Sequence, residues 1–126
     1  MKKVVVLLPT YNEKTNIEDF TLKVLAQEVN LSGWKLEVLI VDSGSPDGTG
    51  EIAKKLAAIN PQVHYLEVER GLGVAVIKGH QYSLANLSPD ALAQIDADGQ
   101  VEVSVIPRLI QALDEGYDLA IGSRMV

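Results

Sequence analysis

Five short apolar runs, separated by segments whose apolar residues recur at helical spacing, constrain this chain more than any other feature. Residues 4–8 are an unbroken aliphatic run, the pattern of a strand buried on both faces. A helix is expected next, with polar and acidic residues 12–18 at its start and Ile17, Phe20, Leu22, Val24 and Leu25 forming its apolar face to about residue 29. Residues 36–41 read as a second strand ending on Asp42 and a turn-rich stretch, followed by a helix with Ile52, Ala53, Leu56, Ala57 and Ile59 at helical spacing. Asn60 and Pro61 stop that helix, since proline lacks the amide hydrogen a continuing helix needs. A third strand is expected over residues 63–68, a Gly-rich loop opening a helix over 71–87, a fourth strand over 91–95, a helix over 105–113 closed by Gly116, and the start of a fifth strand over 118–121.

Strand and helix alternating with short connections imply an α/β fold: a mostly parallel sheet with helices on both faces, here as a single domain over residues 1–126. In such sheets ligands collect outside the carboxyl ends of the strands. Those ends carry residues 9–13, Asp42, residues 70–73 and residues 96–100, so the polar chemistry is expected where the architecture opens a crevice.

Composition narrows the partners. With 47% hydrophobic and 22% charged residues the chain has the makings of a core, which excludes a disordered or coiled-coil protein. The absence of cysteine excludes disulfides and thiolate metal sites and suits a cytoplasmic setting, and any metal must bind oxygen or imidazole. The apolar run after Met1-Lys2-Lys3 is too short for a signal peptide and lacks a small-residue cleavage site. No apolar run approaches the roughly 20 residues that cross a bilayer. A formal net charge of −6 without a Lys/Arg stripe argues against nucleic acid, and means that a bound diphosphate needs a bridging cation or a local cluster of donors.

Several residues are candidates for chemistry. Asp96 and Asp98 lie two apart after an apolar strand, with Gln100 two further on; in an extended segment the three face one side and suit a hard cation, Mg²⁺ or Mn²⁺. Taken alone, this spacing more often describes a solvated acidic turn. Asp42 is positioned to accept hydrogen bonds from a base or ribose, or to form an Asx turn before the next helix with help from Ser45 and Asp47. Gly71, Gly73 and Gly79 have the wrong spacing for a dinucleotide fingerprint, which excludes a nicotinamide cofactor. His64 and His80 have no second ligand at metal-binding spacing, Trp34 is expected to pack the loop before the second strand, and Lys54, Lys55 and residues 67–70 read as solvated charge.

In order along the chain stand Pro9-Thr10-Tyr11-Asn12-Glu13, Val41-Asp42-Ser43-Gly44-Ser45-Pro46-Asp47-Gly48-Thr49, Gly71-Leu72-Gly73-Val74-Ala75, Asp96-Ala97-Asp98-Gly99-Gln100, then Ile106-Pro107, and finally Gly122-Ser123-Arg124. Together these segments resemble family 2 glycosyltransferases of the Rossmann-like GT-A fold, nearest the dolichyl-phosphate mannose synthases and bacterial polyprenyl-phosphate sugar transferases. The resemblance covers essentially the whole chain. It implies transfer of a hexose from a UDP- or GDP-linked sugar, with inversion, to an acceptor that is a polyprenyl phosphate or a saccharide. By that likeness Pro9, Tyr11, Glu13, Asp42 and Gly71 bind the nucleotide sugar, Asp96, Asp98 and Gln100 hold Mg²⁺ or Mn²⁺ against the diphosphate, and Arg124 lies by the diphosphate or acceptor phosphate. Asp98 and Arg124 are the candidate catalytic residues.

The departures from the family pattern are specific. Asp42-Ser43 stands where many members have two aspartates, Glu69 with Arg70 beside it replaces a lysine before the Gly-Leu-Gly loop, and Val101-Glu102-Val103-Ser104 replaces His-Pro-Pro-Glu. The chain is expected to be a truncated donor domain lacking the acceptor-binding half, with the full-length protein at the cytoplasmic face of a membrane. Two other readings remain: a non-catalytic binding module that works with a partner, and a phosphoacceptor receiver domain, which fits the length but not the metal-site layout.

Overall fold

A computed structural model describes residues 1–97 and 103–114. Its elements, in chain order, are β1 (Lys2–Thr10), α1 (Ile17–Ala26), a short 3-10 turn (Gln27–Asn30), β2 (Trp34–Asp42), α2 (Thr49–Ile59), β3 (Val63–Glu67), α3 (Leu72–Asn86), β4 (Ala91–Gln94) and α4 (Val105–Asp114). The four strands form one parallel sheet in the order β3-β2-β1-β4. The expected fifth strand at 118–121 lies outside the described residues.

The unbroken apolar runs follow from the layering. Val4, Val6 and Leu8 of β1, with Leu36, Val38 and Ile40 of β2, pack into one core with Ile17, Phe20 and Val24 of α1, Ala53 and Leu56 of α2, and Ile106 and Ile110 of α4. The alternate residues, Val5, Leu7, Leu39 and Val41, pack on the other side with Ala75 of α3. Helices therefore cover both faces, and a strand with helices on both sides has no polar position to alternate with. Each buried Val, Leu, Ile or Phe among them contributes roughly 1.5–3 kcal/mol through removal of apolar surface from water.

The α3 layer sits unusually close to the sheet. Its buried positions Ala75, Gly79 and Ser83 are all small, and a β-carbon on Gly79 would stand 2.5 Å from Leu7 Cδ1 and 3.0 Å from Val41 Cγ2. Gly79, weighed above as part of a nucleotide fingerprint, is in the fold a point of close helix-to-strand approach.

Local departures have local causes. The first helix begins at Ile17, later than the polar segment suggested, because residues 11–16 form a loop tied to the loop after β2 and to the start of α2. Leu22 is 47% exposed and Ile59 75% exposed, so neither belongs to its helix's buried face. The second strand starts at Trp34, which is a core residue of β2 and not part of a loop. No helix among the described residues is long and apolar enough to cross a membrane.

Candidate functional site

Because all four strands run parallel, Thr10, Asp42, Glu67 and the residues following Gln94 emerge on one rim of the sheet. Two loops meet there, residues 11–16 after β1 and 43–48 after β2, and side chains of the second, with Thr49 at the start of α2, bind the backbone of the first. Asn12 N–H donates to Ser45 Oγ at 2.9 Å, Glu13 N–H to Thr49 Oγ1 at 3.0 Å, and Lys14 N–H to Asp47 Oδ2 at 3.1 Å. Thr49 N–H donates to Asp47 Oδ1 at 3.0 Å and the Thr49 hydroxyl to the same oxygen at 2.5 Å. The Thr49 hydroxyl, before the backbone contacts, holds the Asp47 carboxyl below its ordinary value.

Asp42 anchors this junction. Its residue is 1% exposed, Oδ1 accepts the Thr10 hydroxyl at 2.8 Å and the Ser45 hydroxyl at 2.6 Å, and Oδ2 accepts Ser45 N–H at 2.9 Å. Ser43 N–H bonds Thr10 O at 3.0 Å and Val68 N–H bonds Asp42 O at 2.9 Å, so the rim of β1, β2 and β3 is stitched by backbone as well. Beside Asp42, Gly50 admits the Tyr65 phenol: a β-carbon there would lie 2.9 Å from the Tyr65 oxygen. Partial burial, then the hydrogen bond to Glu67, pushes that phenol up to about 12.

Above the junction opens a cleft of about 240 Å³, lined by Pro9, Thr10, Tyr11, Ser43, Arg70, Gly71 and Ala75. Its walls are the end of β1, the start of the β2 loop and the beginning of α3. The Arg70 guanidinium lies 4.5 Å from the centre of the Tyr11 ring, a cation-π contact. It makes no hydrogen bond or ion pair to the described residues, whereas its neighbour Glu69 is paired with Lys78 at 2.8 Å. Gly71 has φ +133°, a conformation open to glycine, and forms the turn into α3. A largely apolar cleft with a cation that has no hydrogen-bond or ion-pair partner among the described residues, beside a helix start, suits a flat ring carrying negative charge.

The family description Glycosyl transferase family 2 matches residues 5–126. The chain belongs to Glycosyl transferase family 2. A polyprenol monophosphomannose synthase of Mycolicibacterium smegmatis is 38% identical over 99% of this chain and 46% of its own length. A dolichol-phosphate mannosyltransferase of Pyrococcus furiosus is 41% identical over 98% of this chain and 34% of its own length. This family 2 chain thus spans less than half the length of these curated relatives. Among solved structures, S. aureus TarS superposes with a TM-score of 0.54 over 91% of this chain and 20% of its own, at 23% identity, which supports the GT-A-like fold.

In this family 2 glycosyltransferase chain, the expected site residues fall into three groups. Pro9, Tyr11 and Gly71 line the cleft together. Asp42 and Glu13 do not: the Asp42 carboxylate is turned into the loop junction, and Glu13 is half-buried with Oε2 accepting Asn16 Nδ2 at 3.2 Å. Asp96 follows β4 on the same rim, half-buried, with the preceding Ile95 N–H bonded to Leu7 O at 3.0 Å. Asp98, Gln100 and Arg124 lie outside the described residues. A carboxylate such as Asp96 is a fitting donor for Mg²⁺ or Mn²⁺, while among the described residues no three acidic, histidine or cysteine side chains gather to hold a metal.

Four residues that line the cleft, Thr10, Ser43, Arg70 and Ala75, are not among the sequence candidates. Arg70 walls the cleft, in keeping with its place at a strand end directly before Gly-Leu-Gly and beside the position of the missing lysine, and against its reading as solvated charge. Ser43 had no such signal, because a serine in a turn-rich stretch looks like any other. His64 is also partnered, with Nε2 2.7 Å from Glu37 Oε1 on the adjacent strand, a contact invisible to spacing along the chain.

Proposed function

We propose that this chain is the donor-binding domain of an inverting hexosyltransferase that takes a sugar, mannose by the names of its relatives, from a nucleoside diphosphate to a polyprenyl phosphate. The observation that carries the reading is the cleft at the carboxyl ends of the strands, where Pro9, Tyr11, Arg70 and Gly71 converge in a chain that matches family 2 over residues 5–126. Pro9 and Tyr11 supply an apolar wall for a nucleoside, and Arg70, beside the start of α3, supplies positive charge for a phosphate. Residues 1–126 constitute the donor domain in this reading, and acceptor contacts belong to the further length that the relatives possess.

A phosphate acceptor is anionic at neutral pH, so its oxygen can attack the anomeric carbon while the nucleoside diphosphate leaves from the opposite face, with positioning contributing more than proton removal. Asp96, with Asp98 and Gln100, is assigned to a Mg²⁺ or Mn²⁺ ion that supplies positive charge to the diphosphate. Arg124 is assigned to the same diphosphate or to the acceptor phosphate, and Asp98 with Arg124 to the catalytic step.

Titration calorimetry of the chain with GDP-mannose and UDP-sugars, with and without Mn²⁺, tests the reading. Metal-dependent binding that weakens in Asp96→Ala supports it. No heat with any sugar nucleotide at millimolar concentration, from a chain that is folded by NMR, would overturn it. A second reading is a nucleotide-sugar-binding module without turnover of its own; mannosyl transfer to polyprenyl phosphate by the purified chain would remove that one.

A further inference from the structure

We propose that Ser45 is a positioning residue for the donor cleft, carrying the placement of buried Asp42 to the Tyr11 wall through the backbone of Asn12. The proposal rests on the nucleotide reading of the cleft, and it gives Asp42 a role one step removed from the ligand.

The Ser45 hydroxyl has one hydrogen and two lone pairs. The hydrogen goes to Asp42 Oδ1 at 2.6 Å, which turns a lone pair toward Asn12 N–H, whose nitrogen is 2.9 Å away. The orientation is held at both ends of the residue, because Ser45 N–H is itself bonded to Asp42 Oδ2 at 2.9 Å. Asp42 cannot swing away, since it is 1% exposed and Thr10 Oγ1 occupies Oδ1 at 2.8 Å. The serine is therefore a rigid hydrogen-bond acceptor aimed at one backbone amide.

That amide is where the first loop needs holding. Asn12 has φ +56°, the left-handed region, which asparagine tolerates better than most L-residues but still at a steric cost that the Ser45 contact helps to offset. Its preceding residue is Tyr11, whose ring walls the cleft and carries the Arg70 guanidinium at 4.5 Å. Release of Asn12 N–H lets the backbone relax toward negative φ, which rotates the peptide joining it to Tyr11 and uncouples the ring from Arg70. The other two ties between the loops, Glu13 N–H to Thr49 and Lys14 N–H to Asp47, lie farther along the loop and hold its helix-ward half.

The test compares Ser45→Thr with Ser45→Val, side chains of one shape that differ in the hydroxyl, with Ser45→Ala as a third variant should either β-branched residue fail to fold. In the unliganded chain, NMR contacts between the Tyr11 ring and the Arg70 side chain, and slow exchange of the Asn12 amide, are expected in wild type and Ser45→Thr and lost in Ser45→Val and Ser45→Ala. Sugar-nucleotide affinity is expected to fall about tenfold in the variants without a hydroxyl, because the Tyr11 wall is then no longer held in place before the ligand arrives, and to show no further fall when the same change is made in a Tyr11→Ala background. Retained Tyr11–Arg70 contacts in Ser45→Val, or a loss of affinity that adds in full to that of Tyr11→Ala, would overturn the relay. A wild-type chain that binds no sugar nucleotide defeats the reading of the cleft instead, and the NMR comparison then still decides whether Ser45 holds Tyr11.

Discussion

At the carboxyl ends of the strands, Asp42 gathers hydrogen bonds from Thr10 and Ser45, and through Ser45 reaches a loop amide. At the amino ends, Glu37 on the same strand binds His64 Nε2 at 2.7 Å and Lys3 Nζ at 3.0 Å, and Lys3 Nζ also donates to Leu87 O at 2.9 Å. Both rims use a carboxylate from β2, but one ties strand to strand and the other ties loop to loop. The hollows differ accordingly. The amino-end hollow, about 550 Å³ between Glu28, Trp34, Lys35 and Gln62, is the larger, yet Glu28 Oε2 already accepts Leu36 N–H at 2.7 Å and Gln62 Nε2 at 2.9 Å. The smaller carboxyl-end cleft keeps the Arg70 guanidinium without a hydrogen-bond partner among the described residues. Size does not pick the site; its place outside the carboxyl ends of the parallel strands does, where sheets of this class collect ligands.

Asp42→Ala is the most severe way to break the contrast. It strands three shielded donors at once, and a loss of about 3 kcal/mol in urea denaturation is expected, together with loss of sugar-nucleotide binding. An unchanged urea midpoint would mean the junction is not anchored there. Arg70→Ala should separate binding from folding: stability within about 0.5 kcal/mol of wild type, with affinity about tenfold weaker, or ~1.4 kcal/mol, by calorimetry. Glu37→Gln should do the reverse, lowering stability by about 1 kcal/mol because its half-buried pairs with Lys3 and His64 are only partly screened by solvent; a change in nucleotide affinity would show that the rims are coupled.

The smallest effect is set by pH. The Asp47 carboxyl is held below its ordinary value of 3.8, chiefly by the Thr49 hydroxyl. A depressed acid favours the folded loop above 3.8, and that contribution fades as pH falls from there through the lower folded value. Amide shifts of Lys14 and Thr49 should therefore titrate together below pH 3.8 in wild type, and the common transition should vanish in Asp47→Asn. Independent titration of the two amides would separate the two loops.

The strands were legible because a strand covered on both faces must be apolar at consecutive positions, and residues 4–8 and 36–41 can be little else. The helices were legible less sharply: Leu22 and Ile59 satisfy a helical count but point away from the sheet, and only the packed neighbours reveal that. For the site, Pro9, Tyr11 and Gly71 could be named because they follow strands and keep company with glycine and proline. Asp42 could be named but not oriented, since its two readings differ in where a carboxylate turns, and here it turns inward to Ser45 and Thr10.

The order of apolar runs and turns by itself determined the α/β class, the parallel sheet and the rim on which the site opens, since hydrophobic burial and chain direction are properties of local pattern. Only tertiary structure decided that β1 lies between β2 and β4, that α3 meets the sheet through Gly79, and that Arg70 stacks on Tyr11. Those contacts join residues that are 59 positions apart in the case of Arg70 and Tyr11 (70 less 11), and their energy depends on distances set by packing and not by sequence neighbours.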